Sequence, residues 1–159
     1  MTKQSISSLR TELRDLYDDY CAALDEGRLD DWSGYFTDDA LYTVMSRESF
    51  VNGLSHATMY CEGLAMIRDR TNAIRETSVF EPRTIRHFVS GVRVLKDGEL
   101  IEARANFLLS EALYNSEPQI LMVGEYLDVL RREDGVLKIK KRQAVYDNFR
   151  IRTALVMPV

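Results

Sequence analysis

Chemistry-bearing residues are scarce in this chain: it has two histidines, two cysteines and one tryptophan among 159 residues. With His56 and His87 alone, no paired Cys-x-x-His or Cys-x-His ligand set for an iron–sulfur centre can be assembled, and no helical His-Glu-x-x-His for zinc is present. His56 lies in a polar loop stretch and His87 in a strand-like one, so a facial triad of the two with one carboxylate has no local support. Cys21 and Cys61 share no paired spacing and sit in apolar contexts, which reads as small buried side chains in a reducing compartment. A Gly-rich phosphate loop is also missing. So is any excess of positive charge: the net charge is −4 and the pI about 5.3, which argues against nucleic acid or an anionic membrane as partner. No apolar run approaches the ~18–20 residues of a membrane-spanning helix. The start MTKQSISSLR lacks the apolar centre of a secretory signal, and the expectation is a cytoplasmic protein.

What is present is ordered alternation. Residues 1–159 suffice for one domain burying roughly 70% of the surface its unfolded chain would expose, with no need of disulfide or structural metal. From Ile85 to Tyr146 four strand-like runs are separated by short turns: Lys96-Asp97-Gly98-Glu99, Asn115 to Gln119 with Pro118, and Arg132 to Gly135. In the second run Ile101, Ala103, Ala105, Phe107, Leu109 and Leu113 share one face, while Glu102, Arg104, Asn106 and Ser110 share the other. Such an antiparallel meander curls and needs helices over its apolar face.

Upstream, Leu9, Leu13, Leu16, Tyr17, Tyr20 and Leu24 recur at steps of three and four. They predict a helix over about Ser8 to Glu26, capped by Ser7 or Ser8 and stopped by Gly27. A short helix follows around Leu29 to Tyr35, with Trp32 as core rather than ligand-pocket lining. Leu41 to Met45 reads as a strand entered through an Asp38-Asp39 turn. Ser46 to Ser55 is polar and irregular, Met59-Tyr60-Cys61 suits a short edge strand, and Gly63 to Glu76 returns to a helical pattern. The sum is an α+β domain whose helices cover a curled sheet, a cone of the kind that often encloses a pocket.

The one side chain expected to titrate near neutrality in that cone is His87, a general-base candidate that Tyr42 or Asp39 would assist. The plainer reading is an ordered, hydrogen-bonded structural histidine. Glu125 and Asp128 read as a wet face or an ion pair across the ladder, and Lys138, Lys140, Lys141 and Arg142 as a solvated edge. The apolar tail Ala154 to Val159 wants burial. With the meander ended by about Asn148 and the core complete without it, Leu155, Val156 and Met157 are candidates for a subunit interface rimmed by Arg150 and Arg152.

PRTIRHFVSGVRV at 82–94, ANF at 105–107 and GEYLDVLRREDGVLKIKKRQAVYDN at 124–148 together resemble the small (β) subunit of aromatic-ring-hydroxylating dioxygenases. Upstream, ALDEGRLDDWSGYFTDDALYTV at 23–44 and SRESFVNGLSHATMYCEGLAMIRDRTNAIRE at 46–76 are similar to the branch serving aromatic acids: the anthranilate, salicylate and terephthalate oxygenases. Tyr42 is followed by Thr43-Val44, where many hydrocarbon dioxygenases carry a proline, which also favours the acid branch. The resemblance implies a cystatin-like cone of the nuclear-transport-factor-two and ketosteroid-isomerase type. It also implies a non-catalytic subunit of a complex that dihydroxylates an aromatic acid with O2 and electrons from NAD(P)H. The Rieske [2Fe–2S] cluster and the mononuclear Fe(II) would sit in a separate large (α) subunit, and the small subunits would trimerise within an α3β3 assembly. Two alternatives stay open: a free-standing dehydratase, isomerase or cyclase using His87, and a small-molecule binding module.

Overall fold

A computed structural model describes residues 3–76 and 80–159. The elements are α1 (Lys3–Asp25), α2 (Leu29–Ser33), β1 (Phe36–Ser46), α3 (Arg47–Val51), β2 (Met59–Glu62), α4 (Gly63–Glu76), β3 (Arg83–Lys96), β4 (Ile101–Leu113), β5 (Gln119–Glu133) and β6 (Val136–Tyr146). The strands form one sheet in the order β2-β1-β6-β5-β4-β3. The pair β1 and β6 is parallel, and all other neighbours are antiparallel. Helices α1 and α4 pack on β3 and β1 respectively, closing the curled sheet into the cone that the resemblance implied.

The α1 stripe is buried as its periodicity requires, from Leu9 to Leu24. It ends as a Schellman motif: Gly27 takes φ 71°, its N–H donates to Leu24 O, and the N–H of Arg28 donates to Ala23 O. The helix starts earlier than the sequence pattern suggested, so Ser7 and Ser8 lie inside it and cap nothing. Serine costs under about 0.7 kcal/mol in a helix, too little to stop one.

Three further expectations change. Asp38 and Asp39 form no turn but lie within β1, where a bulge between Phe36 and Leu41 absorbs them. The polar stretch after β1 contains α3, capped by Ser46, whose Oγ accepts from the N–H of Ser49. The basic run on β6 is no sheet edge, because the return of β1 alongside β6 places that strand inside the sheet. The last hairpin does use its Asp-Gly pair as read, with positive φ at Asp134 and Gly135, whereas Gly98 keeps an ordinary φ in a longer loop. On β4 the inward face runs from Ile101 to Leu109, and then buried Glu111 takes the next inward slot while Leu113 is half-buried.

The tail corrects the idea that the core closes without it. Arg70 Nη2 donates to Val156 O (2.7 Å), Arg83 Nη1 to Ala154 O (3.0 Å) and Thr153 Oγ1 to Glu111 Oε2 (2.7 Å). Pro158 and Val159 are buried in the chain's own cone, and Leu155, Val156 and Met157 are half-buried.

Candidate functional site

The interior of the cone holds a charged pair inside an aromatic lining. Asp128 and Arg142 face each other across β5 and β6. Both side chains are excluded from solvent. The guanidinium grips the carboxylate with two bonds, Nε to Oδ1 at 3.0 Å and Nη2 to Oδ2 at 2.6 Å. Tyr17 OH donates to the same Oδ2 at 2.8 Å. The guanidinium carbon lies 4.1, 4.2 and 5.0 Å from the ring centres of Tyr126, Tyr20 and Tyr17, within reach for cation–π attraction. Burial is the largest single influence and works against the charge of Arg142, but Asp128, Tyr20 and Tyr17 together outweigh it and hold the guanidinium protonated. Burial also pushes the phenols of Tyr17, Tyr42 and Tyr126 well above their ordinary range.

Around this pair buried aromatic side chains pack against one another. Phe107 stacks on Tyr126 at 4.7 Å, and Trp32 packs edge-on against Tyr20, Phe36 and Tyr42. The hydroxyl of Tyr42 receives the N–H of Val159 at 2.8 Å and donates to its carbonyl at 3.1 Å, while Tyr20 OH donates to that carbonyl at 2.8 Å. The recesses of about 630–680 Å³ instead lie on the outside of the molecule.

The three residues of the acid–base alternative are not brought together. Tyr42 is committed to Val159 in the core. Asp39, on the same strand, is exposed and held by Lys140, Thr37 and Arg131, an arrangement that lowers its carboxyl to about 2, with the Lys140 contact as the main cause. Three strands separate β1 from β3, which carries His87. His87 is buried against α1: its Nδ1 lies 2.7 Å from Asp25 Oδ1, and its backbone N–H donates to both oxygens of that carboxylate. This ties the end of α1 to the sheet's outer strand. A recess of about 230 Å³ adjoins the pair.

Cys21 and Cys61 are buried and free, and burial pushes the Cys21 thiol up to about 12, which keeps it from being a nucleophile at neutral pH. Among the described residues no group of three His, Cys, Asp or Glu side chains converges as a metal site. No described helix is long and apolar enough to cross a membrane.

Sequence reasoning missed that Asp128 and Arg142 belong to the core. A signal existed for Asp128, which falls in the inward phase of β5 between Tyr126 and Leu130. None existed for Arg142, because a register shift between Val129 and Leu130 breaks the alternation that would have placed it.

The outside carries its own pattern. A row of Phe88, Leu108 and Val123 crosses β3, β4 and β5 on the uncovered face of the sheet. Phe149 stands fully in solvent just past β6, flanked by exposed Arg150 and Arg152.

Residues 21–153 match the family model described as "Ring hydroxylating beta subunit". The anthranilate 1,2-dioxygenase small subunit of Burkholderia cepacia is 31% identical over 150 residues, covering 93% of this chain and 92% of that protein. A terephthalate 1,2-dioxygenase beta subunit of Comamonas is 28% identical over 88% of this chain and 92% of its own length. Among solved structures, the beta subunit of a proposed aromatic-ring-hydroxylating dioxygenase from Novosphingobium aromaticivorans superposes with a TM-score of 0.88 at 30% identity, covering 96% of this chain and 98% of that one.

Proposed function

The chain belongs to the ring-hydroxylating dioxygenase beta subunit family, and from that premise we propose that it is the non-catalytic small subunit of an oxygenase that dihydroxylates an aromatic acid. The observation that carries this reading is the set of residues inside the cone. Where such a fold has room for a substrate, this chain places the Asp128–Arg142 pair, four tyrosines and its own tail. A buried fork of this kind serves rigidity: its hydrogen bonds fix β5 against β6 and α1 against both. The reaction chemistry then belongs to a large subunit holding a Rieske [2Fe–2S] cluster and a mononuclear Fe(II), fed by electrons from NAD(P)H. The donor set fits neither group: among the described residues no three His, Cys, Asp or Glu side chains converge, and Cys21 and Cys61 are buried without a disulfide.

The work of the small subunit is to hold large subunits in an α3β3 assembly, with three small subunits forming a trimeric base. The apolar row of Phe88, Leu108 and Val123 and the half-buried Leu155, Val156 and Met157, rimmed by Arg150 and Arg152, are the surfaces offered to neighbours. Co-expression with the large subunit followed by native mass spectrometry tests this. Equal numbers of large and small chains, three of each, support the reading, whereas a small chain that never co-purifies with a large one defeats it.

A further inference from the structure

Two features at opposite ends of β6 complement each other. At one end, the chain leaving β6 is pinned to β5: Asp147 N–H donates to Val123 O, Val123 N–H donates to Asn148 Oδ1, and Asn148 Nδ2 donates to Leu121 O. On that platform Phe149 is 103% exposed, more open than in an extended chain. Arg150 and Arg152, beside it, have no ion-pair partner among the described residues. A solvent-exposed aromatic ring followed closely by two cations, of which, among the described residues, only Arg152 has a side-chain contact, donating to Gln119 Oε1 at 3.5 Å, has the form of an interface anchor.

At the other end, near the β5–β6 turn, lies a recess of about 680 Å³ whose apolar walls include Leu16, Tyr35, Val136 and Leu137. Val136 is more than half exposed there. Asp15 and Asp19 stand on the rim, again with no ion-pair partner among the described residues. The recess therefore has room for an aromatic ring and carboxylates for two cations. Val136 and Tyr146 are separated by about 33 Å of strand, so the anchor cannot reach the recess of its own chain.

We propose that Phe149, flanked by Arg150 and Arg152, docks into the Asp15 and Asp19 recess of a second copy of this chain. Because anchor and recess are different patches, the contact is heterologous and head-to-tail, and a three-fold rotation between copies closes it into a ring. The proposal rests on the trimeric reading above and supplies its contact. The apolar ring provides the area, and the paired charges set orientation and exclude other partners.

The test uses the co-expressed complex of large and small subunits carrying Asp147→Cys beside the anchor and Thr11→Cys one helical turn before Asp15, both at exposed positions, treated with a bismaleimide linker; this chain's own cysteines are buried. Covalent dimers and trimers of the small chain, absent from either single variant, are expected. In parallel, Arg150→Glu with Arg152→Glu should weaken self-association of the small chain at least tenfold, and adding Asp15→Arg with Asp19→Arg should restore it. A complex whose native mass contains three small chains but which yields no small-to-small crosslink, or crosslinks only to the large chain, overturns the proposal. Failure of the charge reversal to restore association also overturns it. A native mass without three small chains instead removes the trimeric reading beneath it, and the proposal with it.

Discussion

Replacing Asp128 by asparagine keeps the shape of the core and removes one charge. Arg142 would then be a guanidinium excluded from solvent, facing three aromatic rings and no anion. Breaking a buried pair by deleting one partner costs about 3–5 kcal/mol, and neither side chain is solvent-screened here. Against a total of about 5–15 kcal/mol for an ordinary domain, that is a large fraction. At roughly 2–4 °C per kcal/mol for a chain of this size, the midpoint should fall by about 6–20 °C. The pair is not expected to be worth its full cost as an attraction, because both charges were taken out of water to make it. Asp128→Leu combined with Arg142→Met should therefore recover most of the loss. Urea and thermal unfolding followed by circular dichroism measure both variants. A loss under about 1 kcal/mol in Asp128→Asn, or a double variant as unstable as the sum of its singles, would refute the reasoning.

Other outcomes follow from the same structure. Since the folded-state values of Tyr17, Tyr42 and Tyr126 lie above the ordinary value of 10.0, the folded state holds these protons more tightly; stability is fully present below pH 10 and falls as pH rises beyond it. Phenolate absorbance from these three should then appear together with unfolding, and smooth titration of every tyrosine in a still-folded protein would contradict this. Deleting Ala154 to Val159 should lower folding stability as well as weaken assembly, because Val159 leaves the core and the hydroxyls of Tyr20 and Tyr42 lose partners costing about 1–3 kcal/mol each; an unchanged urea midpoint would count against it. His87→Ala should leave turnover by the assembled oxygenase within about tenfold, where loss of a catalytic base would cost ~10²–10⁴-fold. Gly124→Ala should destabilise sharply, since a Cβ there would sit 2.1 Å from Val145 O on the neighbouring strand; a melting point within 2 °C of the parent, roughly 1 kcal/mol, would show that β6 can yield.

How much of this was legible depends on what kind of signal each feature leaves. The α1 stripe, α4 and the four long strands follow from periodicity, because a face buried against one layer repeats at 3.6 or 2 residues. The position of β1 beside β6 left no such mark. Parallel pairing of distant strands depends on the whole topology, and missing it made Lys138 to Arg142 look like an edge. The tail was misjudged for a related reason: apolar residues past the last strand show a need for burial but not whose core supplies it, and the polar clamps from Arg70 and Arg83 come from sequence positions far away. That His87 is hydrogen-bonded was readable from its strand context, but its partner Asp25, 62 residues earlier, was not.

The central claim, that this chain stabilises an oxygenase without performing its chemistry, is tested most directly by reconstitution. Iron-loaded large subunit alone, small subunit alone and the two together would each be given an aromatic acid, O2 and reduced electron-transfer partners, and cis-diol or catechol formation followed over hours. The account predicts no product from the small subunit alone and a longer activity half-life for the pair than for the large subunit alone. Product formed by the small subunit without the large one, or a large subunit equally active and equally long-lived by itself, would contradict it.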